Sequence, residues 1–174
     1  MKVKKTTMIA IAIVFIVAIC AMFFLRNINK MPVDIVRKHY DNESASFRLA
    51  TVIEQVDVDS KTVLLFYYTA NGGIANAILE RGLLGYKVVN YSGEVAPVNN
   101  LMPTSVGFSS YGKAKSISWY VLYDQSITRA VIGGNESTII FADNLKIYYL
   151  LSDFTDVPRG EFYNNEGELV WLIE

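Results

Sequence analysis

The sequence predicts a mainly β protein: an N-terminal transmembrane helix and a short amphipathic helix precede an antiparallel meander or sandwich-like domain of about nine or ten strands. Three observations support this fold class. An uncharged apolar run leads the chain, short β-rich segments then recur about every ten residues, and glycine or asparagine turns separate them. We divide the chain into residues 1–30, which form the tail, anchor and spacer, and residues 31–174, which form one β-rich domain.

The apolar run from Met8 to Leu25 contains no charged residue, glycine or proline. Together with Thr6 and Thr7 it makes a helix about 30 Å long, which matches the hydrocarbon core of a bilayer. We therefore predict a membrane-spanning helix whose partner is the lipid bilayer. A lipoprotein signal at Cys20 and a cleaved secretory signal near Ala18 are alternatives that the same residues leave open.

The flanks of this run bear on membrane orientation. Basic residues stand on both sides, so the positive-inside rule does not decide the orientation. The seven-residue N-terminal tail is typical of a signal-anchor, which keeps its N-terminus in the cytoplasm and exports the chain that follows. We expect a single-pass protein of the cell membrane with its C-terminal domain outside the cytoplasm.

Composition restricts the chemistry of the exported domain. From Met31 onward, eleven basic residues stand against seventeen acidic ones, a formal net charge of −6. Such a domain repels polyanions, so nucleic acid is excluded as a partner and anionic lipid headgroups are poor ligands. The single cysteine, Cys20, lies in the apolar run, which excludes thiol catalysis and zinc–thiolate sites in the domain, and His39 is the single histidine.

The first half of the domain predicts one helix and a meander. A short amphipathic helix is expected over residues 31–40, because Pro32 suits its first turn and Asp34 complements its N-terminal dipole. Asn71-Gly72-Gly73 predicts a hairpin turn, since glycine adopts positive φ without strain. The predicted strands are residues 47–57, 62–69, 74–81 and 86–91.

The second half follows a connection predicted over residues 94–103, which holds two prolines and adjacent asparagines. The turns between its strands are predicted at Gly133-Gly134-Asn135, Asp143-Asn144 and residues 164–167. An internal duplication is an alternative to chance similarity between the two halves. The predicted strands are residues 104–110, 116–123, 127–132, 137–141, 145–152, 161–163 and 168–174.

The sequence contains no catalytic, cofactor-binding or metal-binding motif, so no such site is predicted. The acidic pairs Asp57/Asp59 and Asp153/Asp156 are the residues that a carboxylate-based hydrolase or a calcium site would use. Both pairs lie in segments typical of turns, which favours solvated turn residues over either site.

Aromatic residues are the one unusual enrichment, with eleven tyrosines and two tryptophans. Aromatic platforms bind sugar rings and peptides, although aromatic residues also form and pack strands well. The ligand surface that we predict consists of Tyr111, Tyr120, Tyr123 and Tyr148.

Five segments follow the short N-terminal anchor in a recognisable order: Phe66-Tyr67-Tyr68-Thr69, Asn71-Gly72-Gly73, Gly85-Tyr86-Lys87, Ile147-Tyr148-Tyr149 and Asn165-Glu166-Gly167-Glu168-Leu169-Val170-Trp171. Together they resemble small membrane-anchored ectodomain proteins of unknown function from Bacillus-type Gram-positive bacteria. The resemblance implies a compartment and a lineage, and it implies no catalytic residue.

From these observations we expect a non-enzymatic binding or accessory module, anchored in the membrane, that needs no cofactor. Its partner would be another envelope protein, a peptide or a wall glycan. Two alternatives stay open: a carboxylate-based envelope glycan hydrolase, and a purely structural, oligomerising ectodomain.

Overall fold

The computed structural model describes residues 2–28, 30–95, 106–111 and 115–174. These residues form two helices, α1 (Lys2–Ile28) and α2 (Pro32–His39), followed by twelve strands. The predicted connection over residues 94–103 lies outside the described residues from position 96 onward. The strands are β1 (Leu49–Asp57), β2 (Thr62–Thr69), β3 (Ile74–Gly82), β4 (Gly85–Val95), β5 (Val106–Tyr111), β6 (Lys115–Leu122), β7 (Ile127–Ile132), β8 (Asn135–Glu136), β9 (Thr138–Ala142), β10 (Leu145–Ser152), β11 (Gly160–Asn164) and β12 (Leu169–Ile173).

The strands pair antiparallel in three four-stranded sheets. Sheet A has the order β1-β2-β3-β4, which is the predicted meander of the first half. Sheet B has the order β5-β6-β10-β9, and sheet C has the order β12-β11-β7-β8. The chain therefore leaves sheet B after β6, builds half of sheet C, and returns so that β10 pairs with β6, with Tyr148 opposite Tyr120.

Sheet B lies between the other two sheets. One face of β6 places Ile117 and Trp119 in a core shared with Phe66 of β2, and we call this contact the A–B interface. The opposite face places Tyr120 and Leu122 in a core shared with β7 and β11, and we call this contact the B–C interface. Because both faces are covered, every residue of β6 after its first is buried.

Helix α2 covers the outer face of sheet A. Val36 and the C-cap residue Tyr40 pack against Leu65 and Tyr67 of β2, and all four side chains are buried. The helix begins with a proline in its first turn, so the prediction of a short amphipathic helix is confirmed. The order of the layers is α2, sheet A, sheet B, sheet C.

The mainly β class is confirmed, but the architecture has one layer more than a sandwich. The additional sheet C forms because β7 and β11 bury Ile127 and Phe162 against sheet B. Among the described strands, β8 is only two residues long, too short to give an alternation signal in the sequence. Sheets A and B differ in strand order, so the two halves do not repeat one topology.

The apolar side chains of α1 lie largely in solvent. From Met8 to Met22 every side chain is exposed except Ile19, which is half-buried. Phe15, for example, keeps 66% of its surface accessible. The predicted transmembrane helix is not supported, because no helix among the residues that the structure describes is both long enough and apolar enough to cross a membrane.

Candidate functional site

Two of the four tyrosines predicted to form a ligand surface lie in the B–C interface. Tyr120 and Tyr148 are opposite each other on β6 and β10, and neither is accessible to solvent. The Tyr120 hydroxyl donates a hydrogen bond to the carbonyl oxygen of Pro158 at 2.8 Å, and the Tyr148 hydroxyl donates to that of Ile127 at 2.9 Å. The prediction is therefore corrected at these residues: they bind backbone carbonyls, because sheet C covers the face on which they lie.

A network of buried groups surrounds these two tyrosines. Both rings meet Phe162 edge-on, with centroids 5.2 and 5.9 Å away. The ammonium group of Lys146, which is nearly buried, donates to the carbonyl oxygens of Gln125 at 2.9 Å and Ile127 at 2.6 Å. Burial raises the pKa of both tyrosines to about 12. The hydrogen bonds from Lys146 and Tyr148 attach Ile127, the first residue of β7, to β10, so these side chains have a structural role.

The remaining two tyrosines do not complete a surface with them. Tyr123 is half-buried and packs against the core of the A–B interface, on the opposite side of sheet B. Tyr111 ends β5 opposite Lys115, and its side chain lies outside the described residues. The three tyrosines with described side chains therefore do not share one face.

The first acidic pair belongs to the turn between β1 and β2. The carboxylate of Asp59 accepts hydrogen bonds from the backbone N–H groups of Lys61 and Thr62, both at 2.8 Å. These hydrogen bonds hold the pKa of Asp59 below its usual value. The ammonium group of Lys115 lies 3.9 Å from the same carboxylate, and Asp57 is exposed at the end of β1. This arrangement stabilises the turn.

The second acidic pair is exposed in the loop after β10. Asp153 accepts a hydrogen bond from the hydroxyl of Ser152 at 3.2 Å, and Asp156 accepts one from Thr155 at 3.3 Å. Within the described residues, no three acidic, histidine or cysteine side chains come together in a group able to hold a metal ion. Both aspartates therefore interact with their immediate neighbours in the loop.

The free edge of sheet C is a surface that the sequence did not predict. Strand β12 pairs with β11 on one side, and no other described strand pairs with its second side. Such an edge presents backbone N–H and C=O groups to solvent. Its outward residues are apolar as well: Leu169 is 49% exposed and Leu172 is 42% exposed. The edge of β12 therefore offers both hydrogen-bonding groups and apolar contacts.

Side chains on β12 alternate between the outside and the core from Val170 to Ile173, and a register shift in the pairing with β11 leaves both Leu169 and Val170 exposed. Trp171 lies opposite Phe162 and packs against the core of the B–C interface, as does Ile173. Exposed glutamates, Glu168 and Glu174, stand at the two ends of the strand. The inward side chains thus fix the strand, while the outward leucines and the glutamates face solvent.

The sequence does carry a signal for this edge. Residues Leu169–Ile173 form an unbroken apolar run, whereas a strand with one solvent-facing side normally alternates apolar and polar residues. The sequence predicts a strand over residues 168–174 and no contact surface on it. A strand lies at the edge of a sheet when only one of its two sides pairs with another strand. The sequence does not show which strands pair, so it could not identify β12 as an edge strand.

Comparison of the chain with protein-family models, with characterised proteins and with solved structures found no match. The function is therefore inferred from the chemistry of this chain alone. Exposed apolar side chains occur on several described surfaces, among them the edge of β12, α1, the β3–β4 turn with Leu83 and Leu84, and Phe141 on β9.

Proposed function

We propose that this protein is a non-enzymatic, membrane-anchored extracytoplasmic binding module whose strand β12 receives an extended segment of another envelope protein. The observation that carries the proposal is the free edge of β12, on which Leu169 and Leu172 are exposed between two glutamates. In strand addition, main-chain hydrogen bonds supply affinity and the outward side chains supply specificity.

The acidic ends of β12 favour a different protein over a second copy of this chain as the occupant. In an antiparallel pair of two β12 strands centred on Trp171, Glu168 of each copy would lie opposite Glu174 of the other. Like charges directly opposite each other on neighbouring strands are destabilising. A segment with an apolar centre and basic ends would instead pair with both glutamates.

The anchoring part of the proposal depends on the run from Met8 to Leu25. Its exposed side chains on α1 are apolar, and moving apolar surface out of water is favourable by about 25 cal/mol per Å². Lipid is the environment that would cover them on all sides of the helix.

Peptide binding to the full chain in nonionic detergent tests the docking edge. The probe is a fluorescent peptide with alternating valine and threonine residues and two lysines at each end. We expect saturable binding in fluorescence polarisation, together with slower amide hydrogen exchange in β12. Leu172→Lys, which places a charge on the edge, should weaken binding at least tenfold. Leu83→Lys, at an exposed residue of the β3–β4 turn, is the matched control.

The glutamates provide a sharper arm of the same experiment. Glu168→Lys/Glu174→Lys should reverse the preference, so that a peptide with glutamates at its ends binds better than the lysine peptide. Loss of binding in Leu83→Lys equal to that in Leu172→Lys, or no change of exchange in β12, would overturn the docking edge. A concentration-dependent dimer that Leu172→Lys abolishes would replace the partner by a second copy.

Membrane placement has its own test. A tag after Glu174 in intact cells should be removed by added protease, while the N-terminus is retained in the membrane fraction. Protection of the tag would contradict the extracytoplasmic placement, and recovery of the full chain in the soluble fraction would contradict the anchoring. Neither result would affect the peptide test.

A further inference from the structure

A basic groove of about 530 Å³ lies between α2 and β4, next to the segment that joins α1 to α2. Three separate parts of the chain supply its charges: the linking segment, the end of α2, and β4. Both helices contact β4, so the groove is close to the proposed anchor. Its described lining residues are Lys30, Ile35, Lys38, His39, Tyr86, Lys87 and Val88.

Charge in the groove is of one sign. Its described lining contains three lysines and a histidine, and no acidic side chain among them. The carboxylate of Glu80 lies 3.9 Å from the ammonium group of Lys87. Lys87 is exposed and Glu80 is half-buried, and ion pairs this accessible to solvent contribute little. An anion that binds Lys87 therefore competes with a weak interaction.

The floor of the groove is apolar and aromatic. Ile35 and Val88 pack together with the core beneath α2, and the guanidinium of Arg81 lies 5.8 Å from the centroid of the Tyr86 ring. A phosphate group with an attached glycerol-like stem fits this combination, because the lysines bind the phosphate and the apolar floor contacts the stem.

We propose that the basic groove binds a phosphate ester of this kind, either as a lipid headgroup or as a soluble molecule. The net charge of −6 on the domain does not oppose this, since physiological salt screens exposed charges beyond about 8 Å. At contact distance, attraction by nearby ammonium groups such as those of Lys38 and Lys87 outweighs repulsion by distant carboxylates. The lipid form of the proposal rests on the proposed anchoring of α1, and the soluble form does not.

Two probes distinguish the sources: dioctanoyl phosphatidylglycerol, with dioctanoyl phosphatidylcholine as its zwitterionic control, and glycerol 1-phosphate. The full chain is titrated in nonionic detergent, and the backbone amide shifts of residues 38 and 87 are followed by NMR. Preference for phosphatidylglycerol with no saturable binding of glycerol 1-phosphate assigns a headgroup. Equal affinity for both assigns the phosphate ester itself.

Matched variants link the binding to the groove. Lys38→Gln/Lys87→Gln should weaken binding about twenty-five-fold, from about fivefold for each lysine. Lys61→Gln/Lys115→Gln removes two lysines outside the groove, one of which also pairs with an exposed carboxylate at 3.9 Å, and should leave the affinity unchanged. Glu80→Gln should tighten binding, because it frees Lys87.

Two results would overturn the proposal: no saturable binding of either probe, or equal losses in the two double variants. Failure of the anchoring is a separate outcome. If protease added to intact cells does not reach a tag after Glu174 while glycerol 1-phosphate still binds in detergent, the groove stands and the membrane placement does not.

Discussion

The A–B and B–C interfaces lie on opposite faces of the same sheet, and they differ in the hydrogen bonding of their buried polar groups. In the B–C interface, Tyr120, Tyr148 and Lys146 all donate to backbone carbonyl oxygens across the interface. Unpartnered polar atoms remain there as well, at Ser118 and Trp171, but the charged group and the two phenols are paired.

Among the described residues of the A–B interface, such pairing occurs only at the exposed margin, where the Tyr68 hydroxyl donates to Asp143 at 3.0 Å and the Asn90 amide donates to the carbonyl oxygen of Ser110. Asn76 is fully buried on β3, opposite Phe66 of β2 and Ser92 of β4, and both atoms of its amide group have no hydrogen-bond partner. The hydroxyl of Ser92 and the indole N–H of Trp119 also have none. Shape holds this interface together: Phe66 meets Trp119 edge-on with centroids 5.7 Å apart, and the indole lies against Gly107.

Sheet B therefore packs on its two neighbours by two different mechanisms: directional hydrogen bonds to sheet C and apolar packing against sheet A. Hydrogen bonds to the carbonyls of Ile127 and Pro158 fix where sheet C sits on sheet B, because each bond requires a particular donor and acceptor. Apolar contact has no direction, so the A–B interface depends on the fit of Trp119 into the space above Gly107. Substitutions at the two interfaces should therefore have different signatures.

The largest effect is expected for Gly107→Ala. A Cβ atom at this position would lie 1.7 Å from the indole nitrogen of Trp119, and that side chain is fully buried and has no room to move. The free energy of unfolding should fall by about 3 kcal/mol in urea denaturation of the full chain in detergent. Gly93→Ala is the control, since nothing lies within 4 Å of its Cβ position. Equal stability of the two variants would contradict fit as the basis of the A–B interface.

The next largest loss of stability is expected at the carbonyl oxygen of Ile127, which accepts hydrogen bonds from both Lys146 and Tyr148. Lys146→Met and Tyr148→Phe each leave one donor on the carbonyl of Ile127, so they should cost about 2 and about 1 kcal/mol. The double variant removes both side-chain donors to that carbonyl and should exceed the sum by about 1 kcal/mol. Pairing Lys146→Met with Tyr120→Phe, whose acceptor is Pro158, should be additive. Additivity in both cycles would mean that the shared carbonyl does not couple the two donors.

Strand positions could be predicted from the sequence to a large extent. Residues 127–132 and 145–152 were predicted with the bounds that β7 and β10 have, and Gly133 and Gly134, both at positive φ, mark the turn after β7. Pairing could not be predicted, because β6 and β10 join across the chain that builds β7, β8 and β9. Local alternation reports which residues are apolar, and it does not report which sheet covers them.

The same reason explains the outcome at the candidate sites. Tyr120 and Tyr148 have the composition of a ligand surface, and only the presence of sheet C shows that they are interior. Lys38 and Lys87 of the basic groove are far apart in the sequence and meet because α2 packs over sheet A. The net charge sums all charged groups of the domain, so its negative sign does not reveal the basic side chains that line the groove.

A smaller effect of opposite sign is expected for Asn76→Leu. The amide group pays for its burial without a hydrogen bond, and leucine is of similar size and apolar. The free energy of unfolding should rise by about 1 kcal/mol, whereas the polar-to-apolar change Lys146→Met lowers it at the other interface. A loss of stability in Asn76→Leu would show that the amide group is bonded, and would remove the contrast between the two interfaces.

The smallest effect is a loss of stability in alkali that originates in the B–C interface. Burial raises the pKa of Tyr120 and of Tyr148 from 10.0 to about 12, so the unfolded chain loses these protons at lower pH than the folded protein. Their contribution to stability is fully present below pH 10 and is lost as the pH rises from about 10 to about 12. At pH 10 the loss is roughly 0.4 kcal/mol for each tyrosine.

Tyr120→Phe and Tyr148→Phe should each reduce the slope of the unfolding free energy between pH 9 and 11, measured by urea titration at each pH. Phe162→Leu lowers stability without removing a phenol, so its slope should equal that of the wild-type chain; a slope unchanged in the tyrosine variants would mean that these hydroxyls ionise alike in both states.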